Sequence, residues 1–114
     1  MSHKGSCHCG QISFEVQGDF DVAMECNCSH CSRKGYLLWF VPRSHFTLLG
    51  SPQSLSTYTF NRHAIQHHFC GRCGCAPFGF GKQGDREMAA VNVRCLEGVD
   101  LTSIKRTFVD GRSF

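Results

Sequence analysis

Nine cysteines are the residues of this 114-residue chain best suited to chemistry. Eight of them fall in three short segments: Cys7-His-Cys9-Gly10, Cys26-Asn-Cys28-Ser-His-Cys31 and Cys70-Gly-Arg-Cys73-Gly74-Cys75. This density is typical of secreted disulfide proteins or of metal-binding domains. The odd count, the tight clustering and an amino terminus without an export signal favour metal binding in a reducing compartment.

The first and third segments together predict one closed zinc site. Zinc prefers four sulfur or nitrogen ligands in a tetrahedron, and Cys70-x-x-Cys73-Gly has the spacing of a loop that supplies two of them. Gly74 permits the positive φ that lets backbone amides point at the sulfurs. Cys7 and Cys9 supply the other half, which gives a structural four-cysteine cluster.

The middle segment predicts a different kind of site. Cys26, Cys28 and Cys31 offer three sulfurs within six residues, and three protein ligands with one open position are typical of a catalytic zinc. The alternative is a second closed site completed by Cys75 or His30; otherwise Cys75 is a spare thiol beside the other site. A disulfide within Cys-x-Cys is sterically poor.

The remaining cysteine and the histidines receive structural interpretations. Cys95 is interpreted as a small buried apolar side chain. His67 and His68 alternate across a strand, so they cannot face one site together, and each is expected to be exposed or hydrogen-bonded. His8 and His30 lie inside the metal loops, where they can orient ligands.

Composition limits the class of protein. The length suits one domain over residues 1–114, and the apolar runs are too short for a membrane span, so we expect a soluble, cytoplasmic protein. Binding two Zn²⁺ through seven thiolates would bring the formal charge of +3 to about zero. The scattered Lys and Arg therefore argue against a nucleic-acid partner.

The elements that must position the cysteines are mostly strands. Alternating or continuous apolar patterns predict strands over 11–17, 36–41, 46–49, 55–60, 65–69, 88–93 and 104–109. Short helical turns are predicted at 29–34 and near 96–101. The expected fold class is mainly β, with small antiparallel sheets held together by zinc.

With these residues identified, the chain resembles the glutathione-dependent formaldehyde-activating enzyme (GFA) family, whose domain is shared with centromere protein V. Four stretches carry the resemblance: Gly5-Ser-Cys7-His-Cys9-Gly10 with the strand after it, Cys26 to Cys31, His68-Phe-Cys70-Gly-Arg-Cys73-Gly74, and Val91-Asn-Val-Arg94 with Leu96-Glu-Gly98. They span nearly the whole sequence. The resemblance implies a β-tent-like fold and two zinc ions per chain.

The family pattern also implies site residues and an activity. It assigns the structural zinc to Cys7, Cys9, Cys70 and Cys73, and the catalytic zinc to Cys26, Cys28 and Cys31. The implied activity is that of a carbon–sulfur lyase, S-(hydroxymethyl)glutathione synthase, with glutathione as the thiol partner and formaldehyde as the electrophile. A non-catalytic zinc-binding module for protein or nucleic-acid interaction is the alternative.

Four further residues are candidates for contacts with the substrate. Lys34, Arg43 and Arg72 are cations that could meet the carboxylates of glutathione, and Trp39 could form a pocket wall. For each, a solvated charge or a core aromatic is the competing interpretation.

Overall fold

The computed structural model describes residues 2–19, 22–49, 53, 55–60 and 65–110. Ten strands and one short α-helix are assigned in these residues. The strands are β1 (Ser2–Ser6), β2 (Ser13–Gln17), β3 (Val22–Cys26), β4 (Leu38–Pro42), β5 (Phe46–Leu49), β6 (Leu55–Tyr58), β7 (Gln66–Cys70), β8 (Phe78–Gln83), β9 (Arg86–Asn92) and β10 (Lys105–Val109). Helix α1 spans Ser29–Lys34, and short 3₁₀ helices span Arg43–His45 and Val93–Cys95. The expected mainly β fold is confirmed.

The strands form two sheets. The smaller one is antiparallel with the order β1-β2-β5, and the larger has seven strands in the order β10-β3-β4-β9-β8-β7-β6. In the larger sheet, β10 runs parallel to β3 and the other neighbours are antiparallel. None of the helices assigned in the described ranges combines the length and apolar character needed to cross a membrane.

Aromatic rings join the two sheets. Phe14 of β2 alternates with Glu15 as the sequence pattern predicts, and its side chain is fully buried. Its ring centroid lies 5.3 Å from that of Phe46 on β5 and 5.6 Å from that of Phe78 on β8. Burying such side chains contributes about 1.5–3 kcal/mol each, so this contact fixes how the sheets pack.

Strands β1, β3 and β8 were not predicted; Ser2–Ser6 is a polar segment, and two glycines interrupt the phenylalanines of Phe78–Gln83. The helical turn expected near 96–101 was wrong. The backbone at Leu96 instead forms a β-bridge with Gly5, and the Glu97 amide donates to the Lys4 carbonyl at 2.8 Å. These contacts hold Leu96 and Glu97 against β1, and a turn with Gly98 at a φ of 73° follows in place of a helix.

Candidate metal centres and the hollows beside them

Two turns bring Cys7, Cys9, Cys70 and Cys73 together. The turn between β1 and β2 is closed by the Cys7 amide, which donates to the Ile12 carbonyl at 3.0 Å. The turn after β7 is closed by the Cys70 amide, which donates to the Cys75 carbonyl at 2.8 Å. Gly74 has the predicted positive φ, 82°, which an L side chain rarely adopts.

The sulfur spacing in the four-cysteine cluster fits a tetrahedral metal. Four sulfurs about 2.3 Å from a zinc ion would lie about 3.8 Å from one another. The Sγ of Cys9 lies 3.7 Å from the Sγ of Cys7 and 3.7 Å from that of Cys70, and all four sulfurs lie within 4.8 Å of one another. The donor set and spacing suit zinc.

Backbone amides favour the thiolate form in this cluster. The amide of Cys73 donates to the sulfur of Cys70 at 3.4 Å and lowers the pKa of that thiol. The amide of Cys75 helps to lower the pKa of Cys73 to about 5. A thiolate is the form that binds metal, so these donors prepare the turn for ligation.

The three-cysteine cluster is built from one continuous segment. Cys26 ends β3, Cys28 is the N-cap of α1, and Cys31 is a buried residue in the middle of that helix. Their sulfurs lie within 4.8 Å of one another. The amide of Cys31 donates to the sulfur of Cys28 at 3.2 Å, so the helix cap and the cluster use the same hydrogen bond.

The thiols of this cluster differ in acidity. Burial alone would raise the pKa of Cys28, but amide donation from Cys31 and His30 brings it below its ordinary value. Burial, followed by the neighbouring Cys28 sulfur, raises the pKa of Cys31 far above its ordinary value. Within the described residues, neither Cys75 nor His30 joins the three sulfurs as a fourth close donor.

A hollow lies between α1 and the strands β6 and β7. We call it the ring hollow; its volume is about 470 Å³, and the described lining is His30, Arg33, Lys34, Tyr36, Tyr58, His67, Phe69 and Ala76. The rings of His30 and His67 are 4.2 Å apart, and those of His30 and Tyr58 are 5.6 Å apart. Burial lowers the pKa of His67 to about 4, with His30 adding to the effect, so the pair is neutral near pH 7.

A second depression is also lined by Tyr36. We call it the arginine groove; its volume is about 290 Å³, and the described lining is Glu25, Cys26, Asn27, Cys31, Ser32, Gly35, Tyr36, Leu37, Arg94, Arg106 and Phe108. Arg94 is held by a bond from its Nε to the Gly35 carbonyl at 3.1 Å. Two members of the three-cysteine cluster line this groove, so a molecule bound there would lie against the cluster.

The chain is similar to known proteins in sequence and in fold. The family described as glutathione-dependent formaldehyde-activating enzyme matches residues 2–109. The chain belongs to this family. A crystal structure of a Rhodobacter sphaeroides protein is also similar, with 31% sequence identity, a TM-score of 0.80, and coverage of 91% of this chain and 99% of that one.

Of the four residues considered as substrate contacts, one lines a described hollow. Lys34 lines the ring hollow, where its Nζ lies 5.7 Å from the centroid of the Phe69 ring. Arg43 stacks on Phe80 instead, 4.1 Å from the ring centroid. Trp39 packs edge-on against His3, and Arg72 is exposed in the turn after β7. These last three are not among the described lining residues of either hollow.

The histidines of β7 face opposite sides, as their alternation predicts. His67 packs in the ring hollow, while His68 is buried near Phe80 with its Nδ1 2.9 Å from the Thr57 hydroxyl. His8 is exposed in the β1–β2 turn. Cys95 is largely buried, which raises the pKa of its thiol to about 11 and agrees with its interpretation as an apolar side chain.

The sequence interpretation missed most of both hollows. Arg94 was noted only as part of a family motif, and Tyr36 only as the start of an apolar run. Tyr58 and Phe60 lie two residues apart in the strand predicted over 55–60, so they share one of its faces, which was a usable signal for a ring cluster. The sequence pattern did not predict that α1 packs against β7, and this packing brings His30 next to those rings.

Proposed function

We propose that the protein is a zinc-dependent carbon–sulfur lyase acting on a thiol–aldehyde adduct, in the manner of S-(hydroxymethyl)glutathione synthase. Family membership supports this class of reaction. The observation that carries the proposal is the three-cysteine cluster, since no fourth close donor joins it among the described residues and it borders the arginine groove. In this proposal residues 1–114 form one metal-binding domain in the cytoplasm, where thiols stay reduced.

The two clusters would hold one zinc each. Cys7, Cys9, Cys70 and Cys73 would bind a structural ion, and Cys26, Cys28 and Cys31 would bind the catalytic one. Zinc at the latter cluster would favour the thiolate form of an incoming thiol and keep it next to an aldehyde carbon. The short bond from the Cys31 amide to the Cys28 sulfur fixes one ligand before any metal binds.

The arginine groove suits glutathione as the thiol partner. Glutathione is polar and bears carboxylates, and a guanidinium binds a carboxylate through two parallel N–H bonds. The Nε bond to Gly35 holds the guanidinium of Arg94 in place, and its terminal nitrogens carry further donors. Arg106 is engaged by Glu25 at 2.9 Å and by the Leu101 carbonyl at 3.2 Å, so Arg94 is the better candidate to bind a carboxylate.

Cobalt substitution tests the open position of the three-cysteine cluster. Protein loaded with Co²⁺ should change its visible absorption when glutathione is added, because a sulfur ligand alters the ligand field. Cys28→Ser should abolish the change and the formation of S-(hydroxymethyl)glutathione. An unchanged spectrum at millimolar glutathione, together with no adduct formation, would contradict the proposal and favour a non-catalytic zinc module.

A matched pair of arginine variants tests the groove. Arg94→Gln should raise the KM for glutathione about tenfold, because a charge-assisted hydrogen bond contributes about 1.5–3 kcal/mol. Arg72→Gln removes an exposed arginine that is not in the groove lining, and it should leave KM unchanged. Equal KM values for the two variants would show that Arg94 does not bind glutathione.

A further inference from the structure

The ring hollow and the arginine groove differ in chemistry although Tyr36 lines both. The groove contains Glu25, Asn27 and Ser32 beside its arginines. The hollow is lined mainly by rings, and its cations belong to α1, Arg33 and Lys34. A reaction between a thiol and a carbonyl compound brings two reactants to one place, and two neighbouring hollows of different chemistry could each hold one of them.

Neither reactant of the family reaction suits the ring hollow. Its volume of about 470 Å³ falls in the range of pockets for small organic molecules, whereas formaldehyde has only one carbon and one oxygen. Glutathione is large enough, but its ammonium group would meet Arg33 and Lys34, and no carboxylate is among the described lining residues. A peptide with a cationic group of its own is therefore a poor occupant of the hollow.

The lining does suit a flat ring with an acidic group. The ring of Tyr58 stacks on those of His30, at 22°, and Phe60, at 21°, and it is half exposed, so part of this ring stack lies at the surface of the hollow. Lys34 has its Nζ over Phe69, and Arg33 is held by a 2.8 Å bond to the Ser29 carbonyl. These two cations are placed to attract a carboxylate on a molecule whose ring lies among the aromatic side chains.

We infer that the ring hollow binds the body of a flat, ring-bearing aldehyde with an acidic group, so that the electrophile of the reaction is larger than formaldehyde. This inference rests on the proposed function. The thiol would approach from the arginine groove, which shares Tyr36 with the ring hollow. A bond forms between the thiol sulfur and the carbonyl carbon, the π electrons of the C=O bond move to its oxygen, and that oxygen takes up the proton lost by the thiol.

Calorimetric binding of 4-carboxybenzaldehyde to the zinc-loaded protein tests the hollow without catalysis. Tyr58→Ala should weaken binding about threefold to tenfold, the usual contribution of an aromatic contact. Phe40→Ala is the control, since Phe40 is also an exposed aromatic but lines neither hollow. Lys34→Gln should weaken binding about twofold to fivefold, and Lys34→Arg should retain it, which excludes an imine with the lysine.

A second experiment measures the rate of adduct formation with glutathione for 4-carboxybenzaldehyde and for formaldehyde. The inference expects a higher kcat/KM for the larger aldehyde, with the loss in Tyr58→Ala confined to it. The inference is overturned if the protein turns over formaldehyde while Tyr58→Ala and Phe40→Ala bind 4-carboxybenzaldehyde equally well. The proposed function would then still stand. Binding that depends on Tyr58 and Lys34, with no adduct from either aldehyde, would support the hollow as a site and overturn the proposed function.

Discussion

The two cysteine clusters differ in how much of the chain each one joins. In the four-cysteine cluster, sulfurs separated by 61 residues lie 3.7 Å apart, and the cluster links the β1–β2 turn of the small sheet to the end of β7 in the large one. In the three-cysteine cluster all ligands come from six consecutive residues around the start of α1. If both clusters bind metal, we therefore expect the first to contribute much more to the stability of the fold than the second.

The surroundings of the clusters differ as well. Cys7 and Cys70 belong to the main apolar core with Phe14 and Phe78. Cys31 belongs to a smaller apolar group with Tyr36, and both hollows border this group. A metal site that joins distant segments is best closed to other ligands, because the fold depends on it. A metal site built by local structure can border a cavity, because the fold depends on it less.

The largest expected effect is the loss of one ligand of the four-cysteine cluster. Cys70→Ser should give insoluble or molten protein, because a structural zinc contributes folding free energy on the order of 10 kcal/mol in finger peptides. Near-ultraviolet circular dichroism and thermal melts measure the loss. Cys95→Ser is the control, since Cys95 is a partly buried thiol outside the cluster, and this variant should stay folded.

A smaller effect on folding is expected at the three-cysteine cluster. Cys28→Ser should remain folded, keep about one zinc and lose thiol binding, because its ligands are local and little loop entropy depends on them. Serine is also a preferred N-cap residue, so its hydroxyl can accept the bond from the Cys31 amide. Metal content and thermal melts check both points.

The comparison between the clusters fails if the two serine variants behave alike. If Cys28→Ser unfolds as completely as Cys70→Ser, both clusters are structural and the catalytic interpretation loses its main support. Cys28→Ala adds a further check, since losing the cap as well should cost about 1 kcal/mol more than the serine variant.

Sequence patterns predicted the features that depend on local spacing. Both clusters and the positive φ of Gly74 follow from short motifs, and Phe14 and Val16 follow from strand alternation. Strand β1 was missed because Ser2–Ser6 reads as a polar segment. Its Gly5 is buried because Phe14 lies over it: a Cβ at Gly5 would come within 2.5 Å of the Phe14 ring.

The two hollows could not be read from the sequence, since each combines residues that are distant in the chain. The arginine groove needs the parallel pairing of β10 with β3, which places Arg106 near Glu25. The ring hollow needs α1 to pack beside β6 and β7. Neither contact can be predicted from a short sequence pattern, because both depend on the order of strands in the larger sheet.

The smallest expected effect is a pH dependence located beside the three-cysteine cluster. The pKa of His67 is about 4 in the folded protein, below the value of 6.5 for an unperturbed histidine. Between these values the unfolded chain takes up a proton that the folded one does not, so stability falls as the pH drops from 6.5 to 4 and changes no further below that. His67→Phe should remove this loss while keeping a ring in the hollow.

Urea unfolding of both proteins at pH 7 and pH 5 isolates the effect, because acid release of metal acts on wild type and variant alike. The ring is partly exposed and solvent screens its charge. The loss of unfolding free energy between pH 7 and pH 5 should therefore be smaller in the variant than in wild type, by about 1 kcal/mol at most. His45→Phe, at an exposed histidine outside the hollow, should follow the wild type. Equal losses in wild type and His67→Phe would show that the histidine ring titrates alike in the folded and unfolded protein. Any acid sensitivity would then come from other groups, such as His68, whose pKa is also lowered by burial, or from the two cysteine clusters.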